Sequence, residues 1–259
     1  MLKSRDAERL IVSKHMTQNI IEQLLADNPK LHTLSAEHAA LLAKYGVRAE
    51  PGPASHAVPP EVIRYFAQVV KPGDLTVETG GGYTTVALAA LARHHTCVTI
   101  DRESVGLTRE YMGRVGIPEE KVTFIVESSD AALPKLPEDA EFDFAYIDGN
   151  HAYPFPAVDW HYLDLRLKVG GLLGLDNTEI RAVYDQCRFL EENRTYELVE
   201  RFENHAYGRR YGASFYRKLK DDGRETFNQP YNLRPARKAP LRKILGDIRW
   251  RRRKVWPWD

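Results

Sequence analysis

A chain of 259 residues, 43% apolar and 28% charged, has sequence enough for one substantial core and too little net charge to stay unfolded. The formal net charge of +1 excludes a global field as the basis of nucleic-acid or membrane attachment. Two cysteines, Cys97 and Cys187, exclude a disulfide framework and form no CxxC pair, and the N-terminal MLKSRDAERLIVSKHM has no apolar signal region, so a cytoplasmic location is expected.

Residues 5–45 read as helical. Leu10, Ile11, Ile20, Ile21, Leu24 and Leu25 fall near helical spacing, Asn28-Pro29 interrupts the run, and Ser35 opens a second helix that Gly46 stops. The stretch 50–60, EPGPASHAVPP, is a Pro/Gly seam that carries His56. After a short helix over 61–70, strands and helices alternate. Strands are expected at 75–79, 96–101, 121–126, 142–148 and 171–176, and helices at 84–93, 104–115, 130–136, 156–168 and 180–192. Such alternation implies a doubly wound, mostly parallel sheet with helices on both faces. Strands 196–202 and 213–218 have no helix between them and are expected to pair as a terminal antiparallel hairpin, which makes a seven-stranded α/β sheet. The domain division is then 1–50, an N-terminal helical segment; 51–220, the α/β domain; and 221–259, a linker and basic tail. Ten lysines and arginines crowd 234–259, and Leu241, Ile244, Leu245 and Ile248 make an apolar stripe among them. With Trp250, Trp256 and Trp258 nearby, the tail is expected to make peripheral contact with anionic membranes. The N-terminal helices could mediate a homodimer.

The organising stretch is LTVETGGGYTTVALAA, residues 75–90, a strand, a tight glycine turn and a helix. Glycine admits positive φ and close approach of a ligand, and the helix start presents unpaired N–H groups. The turn suits a dinucleotide or S-adenosylmethionine. A dinucleotide site calls for G-x-G-x-x-G, but Thr85 stands where the third glycine belongs, and Glu78 would repel a pyrophosphate. Glu78, Gly80 and Gly82 are therefore assigned to a cationic, zwitterionic cofactor. Asp101, at the end of the next strand, is assigned to its ribose diol. Ser129 and Asp130, after the third strand, are assigned to its adenine edge, or to capping the helix that follows. The fourth strand ends in IDGNHAY and the fifth in LDN. Asp148, Asp176 and Asn177 are hard oxygen donors at neighbouring strand tips and suit Mg²⁺ or a similar divalent cation. His151 could accept a proton from a substrate hydroxyl held there. The alternative has both acids capping helices and His151 in a surface loop.

In this order and spacing the motifs resemble the class I S-adenosylmethionine-dependent methyltransferases, over roughly residues 58–219. The resemblance is to metal-dependent O-methyltransferases of the catechol type and the related sugar and macrolide group. ETGGG is similar to that family's motif for the methionine end of the cofactor, VTIDRE to its ribose motif, and KVTFIVESSDAALPKL to the stretch that reaches adenine. IDGNHAY and LDN resemble its metal-bearing tips. The catechol enzymes place a lysine three residues after the first ligand; His151 stands there here, as in the sugar-modifying relatives. The resemblance implies methyl transfer to a hydroxyl of a small molecule or sugar. Asn150-His151-Ala152-Tyr153 lacks the prolines of the Asn/Asp-Pro-Pro-aromatic motif of amine methylases, which argues against a nucleic-acid substrate. The rival readings are an NAD(P)-dependent oxidoreductase and a non-catalytic methyltransferase-like binding domain.

Overall fold

The structure is a computed structural model that describes residues 16–37, 39–40, 50–55, 58–193, 195–206 and 209–221. His56, the expected continuation of the second helix to 45, and the whole basic tail lie outside the described residues.

An N-terminal helix, α1 (16–27), is followed by two short strands, β1 (His32–Leu34) and β2 (Gly52–Ala54), that pair antiparallel with His32 opposite Ala54. Helix α2 (Pro60–Val69) then leads into the sheet. The remaining elements are β3 (Leu75–Thr79), α3 (Tyr83–Leu91), β4 (His94–Thr99), α4 (Arg102–Arg114), β5 (Val122–Val126), α5 (Ser129–Ala132), β6 (Phe142–Ile147), α6 (Phe155–Asp164), β7 (Leu167–Leu175), α7 (Arg181–Asn193), β8 (Tyr196–Ala206) and β9 (Arg209–Lys218). The seven-stranded sheet runs β5-β4-β3-β6-β7-β9-β8. Strands β3 to β7 are parallel to their neighbours, and β9 enters antiparallel beside β7 with β8 outside it. The strand order reverses at β3, where the chain departs first toward β4 and then returns to β6. Ligands of open α/β sheets gather at that switch point, beyond the strands' carboxyl ends.

Alternation along β6 shows why the sheet is buried on both sides. Phe144 and Tyr146 face one core with Phe66, Val86, Leu88 and Phe215; Ala145 and Ile147 face the other with Val77, Trp160, Leu173 and Leu190. Phe66 of α2 meets Phe144 at 5.3 Å and Tyr146 at 5.0 Å, edge to face. Helix α1 contributes Ile21 and Leu24 to the same core.

Three expectations are corrected. Strand β4 stops at Thr99, because Asp101 turns to cap α4 and Ile100 between them is exposed. Helix α6 stops at Asp164 rather than 168. There the Arg166 guanidinium donates to the carbonyls of Leu136, Pro137 and Tyr162, and β7 begins at Leu167. The polar stretch 203–212, read as a connection, continues the ladder instead, with Glu203 opposite Gly212 and Asn204 opposite Tyr211.

Candidate active site

Backbone hydrogen bonds bring the tips of β3, β6 and β7 level. Gly80 N–H donates to Val98 O at 2.9 Å, Asp148 N–H to Thr79 O at 3.0 Å, and Asp176 N–H to Ile147 O at 3.0 Å. The glycine turn and the two acids therefore share one rim of the sheet. Gly80 has φ +88°, and a Cβ on it would sit 2.1 Å from the Asp148 carbonyl oxygen, so only glycine lets the turn pass this close to the β6 tip. Gly82, at φ +120°, caps α3 while its N–H donates to the Thr85 hydroxyl at 2.8 Å.

Glu78 does not face this rim. Its side chain is fully buried beneath the turn. One carboxylate oxygen accepts from Thr84 at 2.7 Å; the other accepts from Thr85 and faces His95 Nε2 at 3.1 Å. His95 is held in turn by Thr76 at 2.8 Å. With its side chain fully buried and both oxygens engaged by Thr84, Thr85 and His95, Glu78 braces the turn from beneath rather than meeting a ligand at the rim as assigned. Asp101 is split between two tasks. Its Oδ1 accepts from Ser104 N–H at 2.9 Å as the α4 cap, and Oδ2 lies 4.0 Å from His32 Nδ1. Ser128 stands at the N-cap position of α5, where its hydroxyl donates to Asp130 instead of capping the helix, so part of the expected adenine stretch is a helix start.

Among the described residues, Asp148, His151 and Asp176 form the group whose ligand atoms all lie within 4.8 Å of one another. His151 Nε2 stands 3.6 Å from Asp148 Oδ1, and it is buried without a hydrogen-bond partner. Burial and the nearby Glu78 charge push Asp148 up to about 8. Burial and then the Asp148 charge hold Asp176 well above the usual carboxylate range. Burial lowers His151 below its ordinary value, against the raising influence of Asp176, Glu179 and Asp159. Two crowded acids facing an imidazole nitrogen that lacks a hydrogen-bond partner are a donor set that a hard divalent cation fits, because the cation would replace the protons that the acids otherwise retain. Asn177 adjoins them at φ +50°, with its amide N–H on Glu179 at 3.0 Å and its carbonyl oxygen as the remaining donor.

Sequence reasoning missed two features here. Tyr146 at 2.6 Å and Tyr211 both donate to Oδ1 of Asp176, and both phenols are buried. Tyr146 was legible only as a core position of β6, and Tyr211 lay in the supposed connection. The second is Asp159 on α6, fully buried, with neither oxygen in a completed hydrogen bond. Burial raises its pKa, while the flanking Ser129 and Thr79 hydroxyls pull it down. Its signal was a lone acid on the apolar side of a helix.

Residues 77–178 match a family model described as a methyltransferase domain. This segment of the chain is similar to a methyltransferase domain. Its surroundings have the same fold as several solved structures. An O-methyltransferase from Bacillus cereus in complex with SAH superposes with a TM-score of 0.57 at 16% identity, over 78% of this chain and 91% of its own. TomG, an O-methyltransferase from Streptomyces achromogenes in complex with SAM, gives 0.55 at 15% identity over 71% and 89%. An rRNA methylase from Streptococcus thermophilus gives 0.52 at 18% over 64% and 100%. At such identities the likeness is one of fold, and it spans different methyl acceptors. No curated protein matches the chain by sequence. Among the described residues, no helix is long and apolar enough to cross a membrane.

Proposed function

We propose that the methyltransferase domain moves the methyl group of S-adenosylmethionine to a hydroxyl of a small molecule or sugar. The observation that carries this reading is the approach of Asp148, His151 and Asp176 to within 4.8 Å of one another beside the glycine turn. The cofactor would lie across the β3–β4–β5 tips, with Gly80 and Gly82 against its methionine end, Asp101 at its ribose, and Ser129 and Asp130 at its adenine. Asp148, Asp176 and Asn177 would hold a divalent cation such as Mg²⁺, which supplies Lewis acidity toward the acceptor hydroxyl. His151 Nε2 takes the hydroxyl proton. The freed oxygen pair forms a bond to the methyl carbon, the carbon–sulfur bond breaks with its electrons moving to sulfur, and S-adenosylhomocysteine leaves. The lowered pKa of His151 suits this task, because the imidazole is neutral and ready to accept at physiological pH. Alignment of oxygen, methyl and sulfur would supply most of the acceleration, on the order of 7–11 kcal/mol.

The same 4.8 Å grouping supports a second role for His151, as a nitrogen ligand to the cation. Calorimetric titration separates the possibilities. Wild type should bind S-adenosylmethionine, and NAD⁺ should give no heat; the reverse result favours the oxidoreductase reading. With a hydroxyl acceptor in hand, His151→Ala should lose about 10²–10⁴ in turnover if His151 is the base. Unchanged Mg²⁺ affinity in that variant keeps the base assignment, and lost affinity with turnover restored by excess Mg²⁺ moves His151 to the ligand set.

A further inference from the structure

The N-terminal segment lays a side chain across the glycine turn. Strand β1 sets His32 so close to Gly82 that a Cβ on that glycine would be 2.5 Å from His32 Nε2 and 2.9 Å from Cε1. The imidazole therefore rests where the bare Cα of the turn leaves room for it. Its other nitrogen, Nδ1, is 3.4 Å from the Ser104 hydroxyl and 4.0 Å from Asp101 Oδ2. That is the Asp101 oxygen not committed to the α4 cap. The ring is only about one-fifth exposed, whereas the Asp101 side chain is 38% exposed.

This placement is fixed from several sides. Leu31 and Leu34 bracket the histidine and are buried. Tyr83 of α3 donates to Leu24 O at 3.1 Å, and Tyr111 of α4 donates to Asp27 at 2.9 Å. Ser55, just past β2, donates to Asn28 at 2.9 Å. Helix α1 and strand β1, with β2 paired to it, are thus strapped to α3 and α4. Neither the glycine motif nor the family match over residues 77–178 includes them.

We propose that His32 is a cofactor-contacting residue, delivered by this strap, which pairs with Asp101 to hold the two ribose hydroxyls of the bound nucleoside. The proposal rests on the methyltransferase reading above. A vicinal diol offers two hydroxyls, each able to donate and to accept. A carboxylate oxygen accepts from one, and an imidazole nitrogen donates to or accepts from the other. Asp101 Oδ1 already accepts from Ser104 N–H at the α4 cap and Oδ2 is the oxygen turned toward His32, so a diol seated here has the imidazole as a second partner beside the carboxylate. His32 supplies that partner from a part of the chain distant in sequence. The same ring, lying against Gly82, would shield the ribose from solvent once the cofactor is seated.

The test is calorimetric titration of S-adenosylhomocysteine, and of its 2′,3′-dideoxyribose analogue, into the wild-type chain, His32→Ala and His32→Gln, with thermal melts of each in the absence of ligand. His32→Ala should weaken S-adenosylhomocysteine about tenfold, the loss of one net hydrogen bond. His32→Gln, whose amide can still donate and accept, should recover most of that loss. For the dideoxy analogue, wild type and His32→Ala should bind alike. Equal binding of S-adenosylhomocysteine by wild type and His32→Ala overturns the proposal, and so does an equal loss for both ligands, which would mark His32 as support for the turn only. If wild type binds neither ligand, it is the cofactor reading itself that fails.

Discussion

Tyr211 donates its phenolic hydrogen to Oδ1 of Asp176, the same oxygen that accepts from Tyr146. One donor comes from the parallel strand beside Asp176 and the other from the antiparallel strand on its far side. The terminal hairpin is therefore part of the site, because β9 carries Tyr211 to the tip of β7. Two donors on one oxygen hold the carboxylate in place and leave Oδ2 outside both bonds. Tyr211→Phe preserves shape and removes one donor from a buried acid. It should destabilise the chain by about 1–2 kcal/mol in urea denaturation, and should weaken Mg²⁺ binding while leaving S-adenosylhomocysteine affinity unchanged. An unaltered denaturation midpoint and cation affinity would remove the hairpin from the site.

The strand tips were legible in the sequence because an apolar β-branched run ending in an acid leaves little choice about where the acid sits. Leu75-Thr76-Val77 fixed β3, and IDGNHAY and LDN placed Asp148 and Asp176 on neighbouring strands. The direction of Glu78 was not legible. A parallel strand buried on both faces lacks the polar–apolar alternation that tells inward from outward, and only the threonines of α3 and His95 of β4 show where the carboxylate goes. The strap was hidden for a different reason. Strands of three residues, HTL and GPA, carry no period, and their pairing spans a long stretch of chain. Tyr211 was missed because 203–212 is rich in charged and polar residues, which on an edge hairpin are compatible with strand but read as loop.

Glu78→Gln separates a bracing role from a cofactor contact. Glutamine can still accept from Thr84, and its amide can face His95, so the variant should fold with a modest loss of stability and bind S-adenosylhomocysteine within a few-fold of wild type. Glu78→Ala should be far worse, about 3–5 kcal/mol, because it leaves a buried histidine and two hydroxyls without their acceptor. A Glu78→Gln chain that melts like wild type but no longer binds the cofactor would restore the direct contact.

The acid pair makes stability depend on pH and on cation together. Asp148 is pushed up to about 8 when folded, against 3.8 for the ordinary group. Between those values the folded chain holds a proton that the unfolded chain has released, so stability falls as pH rises through the window from about 4 to about 8. Asp176, shifted in the same direction, adds to the effect. In EDTA the melting temperature should therefore drop from pH 5 to pH 8. Mg²⁺ replaces the missing proton, so it should raise the melting temperature more at pH 8 than at pH 5. Asp148→Asn should flatten the pH dependence and abolish the Mg²⁺ response. A cation effect of equal size at both pH values, or one that survives in Asp148→Asn, would place the cation elsewhere.

The two glycines with positive φ in the turn should respond unequally to the same substitution. Gly80→Ala drives a methyl into the Asp148 carbonyl, 2.1 Å away, and Asp148 has little room to yield because its N–H is bonded to Thr79 O at the tip of β3. Gly82→Ala meets the His32 ring, 2.5 Å away, which a side-chain rotation can relieve. Both pay the strain of a left-handed residue, roughly 1–3 kcal/mol. Gly80→Ala adds an unrelieved clash of about 1–3 kcal/mol and should also shift Asp148, so that stability and cation binding fall together. Gly82→Ala should keep cation binding and lose cofactor affinity, since it displaces His32 from the turn. Paired denaturation and titration of the two variants reads the difference directly, and similar losses of cation affinity in both would show that the turn and the β6 tip are not coupled through Gly80.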